Sequence, residues 1–169
     1  MEKYISWGVE VKEVEITGSN HRSQVIQEMD DYFAQSGIRS SNRSRLSVVA
    51  EELLMNAIYD APHDQEGKPI YNHKNRTEAI SLAEAHRPVF RYATDGVLMA
   101  VSISDPFGAL DARTLFAYLE KCYSGTGSLN DGRTDKGGGG RGMHQSIENS
   151  DLVEFNIDRK KRKALIALI

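Results

Sequence analysis

Two apolar runs, Val89–Thr94 and residues 97–104, are separated only by Asp95-Gly96. Both runs are rich in β-branched and aromatic residues, which favour strands over helices. Asp-Gly is a preferred pair for a tight hairpin turn, because glycine tolerates the positive φ angles that such a turn requires. The sequence therefore predicts an antiparallel hairpin, and the fold of this chain has to be built around a β-sheet.

The N-terminal part of the chain predicts a strand followed by a helix. Residues 4–16 are rich in β-branched and aromatic side chains and predict one bent strand or a short hairpin around Gly8. Ser19 or Asn20 is a suitable cap for a following helix, which carries an apolar stripe. Gly37 is expected to end that helix.

The middle of the chain predicts a second helix and then a polar insertion. The second helix is expected to start at Ser41 or Asn42 and to stop before Pro62, because the residue preceding a proline is disfavoured in a helix. Residues 63–87 are polar and read as an insertion loop. Within that loop, residues 76–85 predict a short helix.

The C-terminal part predicts two helices, a glycine-rich segment and a pair of strands. Residues 111–123 are amphipathic, residues 124–142 contain many glycines and are expected to be mobile, and residues 143–149 predict a short helix. Leu152–Ile157 and residues 164–169 predict strands on either side of a basic turn. The whole pattern predicts one α+β domain, a two-layer sandwich in which a mixed, mostly antiparallel sheet carries helices on one face.

The composition narrows the class of protein. A chain of 169 residues suits one domain, and a formal net charge of −3 is too small to indicate a nucleic-acid partner. Cys122 is the only cysteine, so no internal disulfide can form, which is typical of a reducing compartment. No apolar run approaches the ~20 residues of a membrane span. We therefore expect a soluble, cytoplasmic protein without nucleic-acid or membrane partners.

Glu52 and Asn56 are the first candidate site residues. They lie four positions apart on the second predicted helix, so their side chains share one face. A glutamate can accept a proton from an attacking hydroxyl, and an asparagine offers a neutral oxygen to Mg²⁺. The same pattern is also typical of two solvated polar residues on an amphipathic helix, so the pair alone does not establish a site.

Asp105 follows directly on the apolar run of residues 97–104. A carboxylate at the end of a buried strand needs a partner, because burying an unpaired charge is costly. The exocyclic amine of adenine would serve as such a partner, and Gly108 would let the backbone approach the base. Asp-Pro-x-Gly is equally good turn chemistry, so a simple turn stays open as the alternative.

A glycine run, Lys136-Gly137-Gly138-Gly139-Gly140-Arg141-Gly142-Met143, precedes the predicted helix of residues 143–149. Backbone amides at a helix start favour anions, so this loop would suit the oxygens of a triphosphate, with Lys136 and Arg141 adding charge-assisted contacts. A flexible linker has a similar composition. The order of the three features, a metal-site helix, a base-site strand and a phosphate loop, favours an ATP site.

That order resembles the ATPase superfamily with the Bergerat fold, which includes DNA gyrase, the heat-shock chaperone ATPase, mismatch-repair ATPases and sensor histidine kinases. The length, the strand-helix-helix start and the motif spacing are most similar to the anti-sigma-factor serine/threonine kinases of bacterial partner-switching systems. The resemblance covers nearly the whole chain, with residues 63–87 as an insertion and residues 111–140 as the ATP lid.

By this resemblance Glu52 stands at the general base and Asn56 at the Mg²⁺ ligand. Asp105 stands at the adenine-recognising aspartate, and the glycine run at the second glycine box. The chain departs from the family where Asp105-Pro106-Phe107-Gly108-Ala109-Leu110 lacks a second glycine, and where Asp60 replaces a frequent histidine. In addition to Glu52 as the catalytic residue, the residues expected to bind nucleotide or Mg²⁺ are Asn56, Asp60, Asp105, Gly108, Leu110, Lys136, Gly138, Gly139, Gly140, Arg141, Gly142 and Met143.

The resemblance implies an ATP- and Mg²⁺-dependent serine/threonine protein kinase that phosphorylates or sequesters a small regulatory protein, such as a sigma factor or an antagonist of an anti-sigma factor. It also makes a homodimer plausible. Two alternatives stay open: a non-catalytic binding module whose nucleotide state selects its protein partner, and the ATP-binding catalytic domain of a two-component signalling system.

Overall fold

Five strands form one antiparallel sheet in a computed structural model that describes residues 3–107, 120, 141–157 and 163–169. The strands are β1 (Lys12–Glu15), β2 (Val89–Thr94), β3 (Met99–Asp105), β4 (Leu152–Ile157) and β5 (Lys163–Leu168). Their order across the sheet is β1-β2-β3-β5-β4, and each neighbouring pair is antiparallel. The prediction of a two-layer α+β sandwich is confirmed.

The predicted hairpin forms between β2 and β3, with Val89 opposite Ser104 and Thr94 opposite Met99. Asp95 closes the turn by accepting hydrogen bonds from the backbone N–H groups of Val97 at 3.0 Å and Leu98 at 2.8 Å. Gly96 has a φ of 87°, a conformation that residues with a Cβ rarely adopt. The turn chemistry read from Asp95-Gly96 is therefore the chemistry that the fold uses.

Three helices are described beside the sheet: α1 (Arg22–Gln35), α2 (Ser40–Met55) and α3 (Arg141–Glu148). Gly37, with a φ of 79°, follows the end of α1 as predicted. The predicted cap of α1, Ser19 or Asn20, is wrong, because the residue before α1 is His21 and no side chain caps the helix. Ser19 instead bonds across the fold, where its hydroxyl accepts from the Ile80 N–H at 2.8 Å.

The main core lies between the sheet and α1 and α2. Alternate residues of β3, Met99, Val101 and Ile103, face this layer and are buried together with Phe90 of β2. Each fully buried aliphatic or aromatic side chain stabilises the fold by about 1.5–3 kcal/mol. The helices contribute their apolar stripes, which comprise Val25, Met29 and Phe33 of α1 and Leu46, Val49, Ala50, Leu53 and Leu54 of α2.

The N-terminal segment lies on the other face of the sheet. Of the predicted strand of residues 4–16, only β1 forms. Ile5 lies outside that strand and packs with Ala93 and Ala100 in a second small cluster. Ser6 fixes this segment by donating from its N–H and its hydroxyl to Asp95, at 3.2 and 2.8 Å. Next to it, the Trp7 side chain is fully exposed.

The predicted helix of residues 76–85 is wrong. Residues 76–78 form a turn, Ser81 makes an isolated β-bridge with Gly18, and a 3₁₀ turn, Glu84–His86, follows. The stretch between the two turns does not form a helix because its backbone bonds to the chain between β1 and α1. Ser19 donates to the Ile80 carbonyl at 2.9 Å, and Leu82 donates to Thr17 at 2.9 Å. Ile80 and Leu82 are buried in the main core, so this part of residues 63–87 is integral to the domain.

Gly18 allows the close approach of these two segments. It forms an isolated β-bridge with Ser81, and a Cβ on Gly18 would overlap the carbonyl oxygen of Ile80. Within the described part of the chain, no helix has the length and hydropathy needed to cross a membrane.

Candidate functional site

Glu52 and Asn56 lie at the C-terminal end of α2, as the sequence predicted. Leu53 and Leu54 are buried in the core, which fixes the helix, and Glu52 and Asn56 lie at the half-buried edge of that core. Asn56 lies one helical turn after Glu52, and its interaction with the Glu52 carboxyl acts to lower the pKa of that group. The helix end therefore presents a carboxylate and a carboxamide side by side.

The pKa of the Glu52 carboxyl is raised above its ordinary value of 4.5. Burial is the largest cause, because it disfavours the charged form, and the negative charges of Asp60 and Glu51 act in the same direction. The positive charge of Arg76 and the hydrogen bond from Asn56 oppose this shift. A carboxylate with a raised pKa accepts a proton more readily, which is the property that a general base requires.

A π-helical turn, Asn56–Asp60, follows α2 directly. Its widened hydrogen bond joins the Ala61 N–H to the Asn56 carbonyl oxygen at 2.8 Å. Turns of this kind are rare and occur frequently at functional sites. Here the turn buries Ala57, Ile58 and Tyr59 while Asn56 and Asp60 lie at its two ends, half-buried.

Asp60 is paired with Arg76, a residue that the sequence did not single out. One terminal nitrogen of Arg76 lies 2.8 and 2.7 Å from the two carboxylate oxygens of Asp60, and the other donates to the Met55 carbonyl at 3.3 Å. The guanidinium also lies over the Tyr59 ring, 5.0 Å from its centre. Burial raises the pKa of Asp60, and the hydrogen bond and charge of Arg76 oppose that shift.

Asp105 ends β3 on the helix-facing side of the sheet. Strand alternation gives it the same face as Val101 and Ile103, which are buried against the helices. β3 contacts both α2 and the π turn, so Asp105 and Asn56 belong to the same side of the molecule. The Asp105 carboxylate accepts a hydrogen bond from the Phe107 N–H at 2.9 Å, which is the bond expected of the turn alternative.

The polar segment of residues 63–87 ends close to Asp105. The His86 ring packs edge-on against Phe107, with ring centres 4.9 Å apart. The segment that brings Arg76 to Asp60 thus ends beside the turn that follows Asp105. The predicted binding residues Gly108 and Leu110 lie outside the described residues.

Helix α3 begins at Arg141, within the glycine run and two residues earlier than predicted. Arg141, Gly142 and Met143 form its first turn, and α3 packs against α2. Arg45 of α2 pairs with Asp151, just after α3, at 2.9 Å. The described residues do not include Lys136, Gly138, Gly139, Gly140 or most of the expected lid, residues 111–140.

The oxygen donors suit a metal bound together with a nucleotide. Among the described residues, no group of three or more His, Cys, Asp or Glu side chains could hold a metal ion by itself. Asn56 supplies one neutral oxygen, and Mg²⁺ in proteins commonly takes one or two protein oxygens and keeps its other positions for water and phosphate. The residues present therefore fit a magnesium–nucleotide complex better than a metal held by protein alone.

The chain is similar in structure to one chain of the SiaB–SiaC complex from Pseudomonas aeruginosa. The TM-score is 0.57, with 12% sequence identity over 92% of this chain and 88% of that chain. At this identity the likeness establishes the fold alone. No protein-family model and no curated protein sequence matches the chain.

Proposed function

We propose that this protein binds ATP with Mg²⁺ and regulates a small protein partner by transferring the γ-phosphate to one of its serine or threonine residues. The carrying observation is the neighbouring pair Glu52 and Asn56, half-buried at the end of α2 on the same side of the sheet as Asp105. The fold shared with a chain from a two-protein complex supports a protein partner.

In this proposal Glu52 takes the proton from the partner's hydroxyl group as that group attacks the phosphate. Its raised pKa makes proton uptake easier. Bound Mg²⁺ would neutralise charge on the phosphate oxygens. Asn56 would supply an oxygen ligand for that ion.

Recognition of the base would fall to Asp105, whose carboxylate would accept a hydrogen bond from the adenine amine. The first turn of α3 and the glycine run before it would supply backbone N–H groups to the phosphates, because a helix start favours negative charge. These roles support each other, since each requires the same ligand in the same orientation.

A non-catalytic, nucleotide-dependent binding module is the second candidate. The bond from Phe107 to Asp105 favours it, because that bond gives the carboxylate a role in a turn without any nucleotide. In this alternative the nucleotide selects the partner and Glu52 has no chemical role.

One experiment separates the two candidates. The purified protein is first tested for Mg-ATP binding by calorimetry, and is then incubated with γ-labelled radioactive ATP and a lysate of its source. Label on a serine or threonine of another protein, lost with Glu52→Gln while Mg-ATP binding persists, supports the kinase. Binding without any transfer supports the module, and absence of Mg-ATP binding contradicts both.

A further inference from the structure

Arg76 lies where the proposed site has two carboxylates and no other described cation acting on both. Its guanidinium is paired with Asp60, and its positive charge also acts on Glu52, eight residues earlier and on the other side of Asn56. The other nearby arginine, Arg22, is paired with Glu51 at 3.1 Å. Arg76 is thus the described positive charge that Glu52 and Asp60 share.

The contacts of Arg76 fix the plane of its guanidinium. Asp60 accepts from one terminal nitrogen, the Met55 carbonyl accepts from the other, and the Tyr59 ring supports one face. Tyr59 is itself fixed, since its hydroxyl lies 3.0 and 2.8 Å from the carbonyl oxygens of Arg76 and Glu78. A guanidinium immobilised in this way loses little further rotamer freedom when it binds a ligand.

Some N–H groups of Arg76 remain available to donate hydrogen bonds to an anion. A guanidinium has five N–H groups. Among the described residues, one terminal nitrogen donates to Asp60 and the other donates to the Met55 carbonyl, so these two partners leave the Nε–H and at least one further N–H group unengaged. The side chain is also 24% exposed, so part of it is in contact with solvent.

We propose that Arg76 is a phosphate-contacting residue of the nucleotide site, with Asp60 as the positioning residue that holds its guanidinium beside Asn56 and Glu52. This inference rests on the proposed function, because it assigns Arg76 to the same ATP site. Arginine is suited to phosphate oxygens because its planar donors match their geometry and its charge is permanent. The polar segment of residues 63–87 thereby contributes a binding group as well as core residues.

A matched control exists elsewhere in the same chain. Arg43 pairs with Asp30 at 3.1 Å and donates to the Ile38 carbonyl at 3.3 Å, and its side chain is also 24% exposed. This ion pair lies between α1 and α2, among residues to which no role in the site is assigned. Arg43→Gln therefore removes an equivalent structural ion pair without touching the proposed site.

The test compares Mg-ATP with adenosine, which lacks phosphates, by NMR titration of the 169-residue chain. For Arg76→Gln we expect Mg-ATP to bind about tenfold more weakly or worse, since a charge-assisted contact is lost, while adenosine binding is unchanged. Arg76→Lys should recover part of the loss. Arg43→Gln should leave both affinities unchanged.

Each outcome bears on a different statement. Equal weakening of Mg-ATP and adenosine by Arg76→Gln, or no change in either, overturns the phosphate contact and leaves the ATP site standing. Failure of the wild-type protein to bind Mg-ATP overturns the proposed function itself. If Arg76→Gln lowers the melting temperature far more than Arg43→Gln does, the same comparison is made with Arg76→Lys, and unchanged Mg-ATP affinity there overturns the contact.

Discussion

The carboxyl groups near the two ends of the sheet have pKa values shifted in opposite directions. Asp95, at the hairpin end, accepts hydrogen bonds from Val97, Leu98 and Ser6, and these bonds hold its pKa well below the ordinary value of 3.8. At the other end, β1 and β3 finish, and the polar segment crosses toward the π turn. There burial raises the pKa values of Glu52 and Asp60.

The difference distinguishes a carboxylate that stabilises the fold from carboxylates that are suited to proton transfer. A carboxylate whose charge is stabilised by several hydrogen-bond donors contributes to folding stability and is a weak base. A half-buried carboxylate with a raised pKa reduces stability when it ionises, and groups of this kind concentrate at functional sites. Substitutions of Glu52 and Asp105 test the proposed function, and substitutions of Gly18 and Asp95 test the contacts that stabilise the fold.

The largest expected effect is on phosphoryl transfer. Glu52→Gln should reduce the rate at least ~100-fold, because the amide cannot accept the proton. The free energy of unfolding near neutral pH should not fall, since the substitution removes a charge that burial disfavours. Radiolabel transfer and denaturant unfolding measure the two quantities. An unchanged transfer rate would contradict the assignment of Glu52 as the base.

Asp105→Asn should weaken Mg-ATP binding about 30-fold, or about 2 kcal/mol, because the amide would present a donor to the adenine amine or lose its acceptor geometry. Calorimetry measures the dissociation constant. Asp95→Asn, at the hairpin end, is the control and should leave binding unchanged. Equal affinities of wild type and Asp105→Asn would remove Asp105 from the site.

Gly18→Ala should destabilise the protein by about 1.5 kcal/mol, since the added Cβ meets the Ile80 carbonyl and has to displace it. The same displacement should increase hydrogen exchange at the backbone amides of Ile80 and Leu82, which bond to this part of the chain. Asp95→Asn serves again as a comparison, because it should not alter exchange at those two amides. Unaltered stability would show that the polar segment is not held at Gly18.

The smallest effect concerns the hairpin end. Asp95→Asn should lower the free energy of unfolding by about 1 kcal/mol at neutral pH, because charge-assisted hydrogen bonds are lost. A lowered carboxyl pKa gives stability that is fully present above the ordinary value of 3.8 and is lost as pH falls through the folded value. The difference between variant and wild type should therefore be constant from about pH 5 to 8 and shrink in acid. A constant difference down to strong acid would contradict this origin.

The local elements could be predicted from sequence where neighbouring residues decide the structure. The alternation of β2 and β3, the turn at Asp95-Gly96 and the end of α1 at Gly37 depend on chemistry within a few residues. The pair Glu52 and Asn56 was accessible for the same reason, because helical periodicity alone gives both side chains one face.

The errors concern segments whose structure depends on distant partners. Residues 76–85 have helical propensity, but their N–H and carbonyl groups bond to Thr17 and Ser19, and tertiary bonding outweighs propensity. Arg76 was missed for a related reason. It lies sixteen residues from Asp60, in a segment without a motif, so only the folded chain brings the two together.

Trp7 is the only tryptophan of the chain, and its side chain is fully exposed, next to Ser6, which bonds to Asp95 of the hairpin turn. Its fluorescence emission should therefore already lie at long wavelength in the native protein and shift little on unfolding. A shift to shorter wavelength after a candidate partner is added would then report contact at this end of the sheet and would give a binding assay that needs no label.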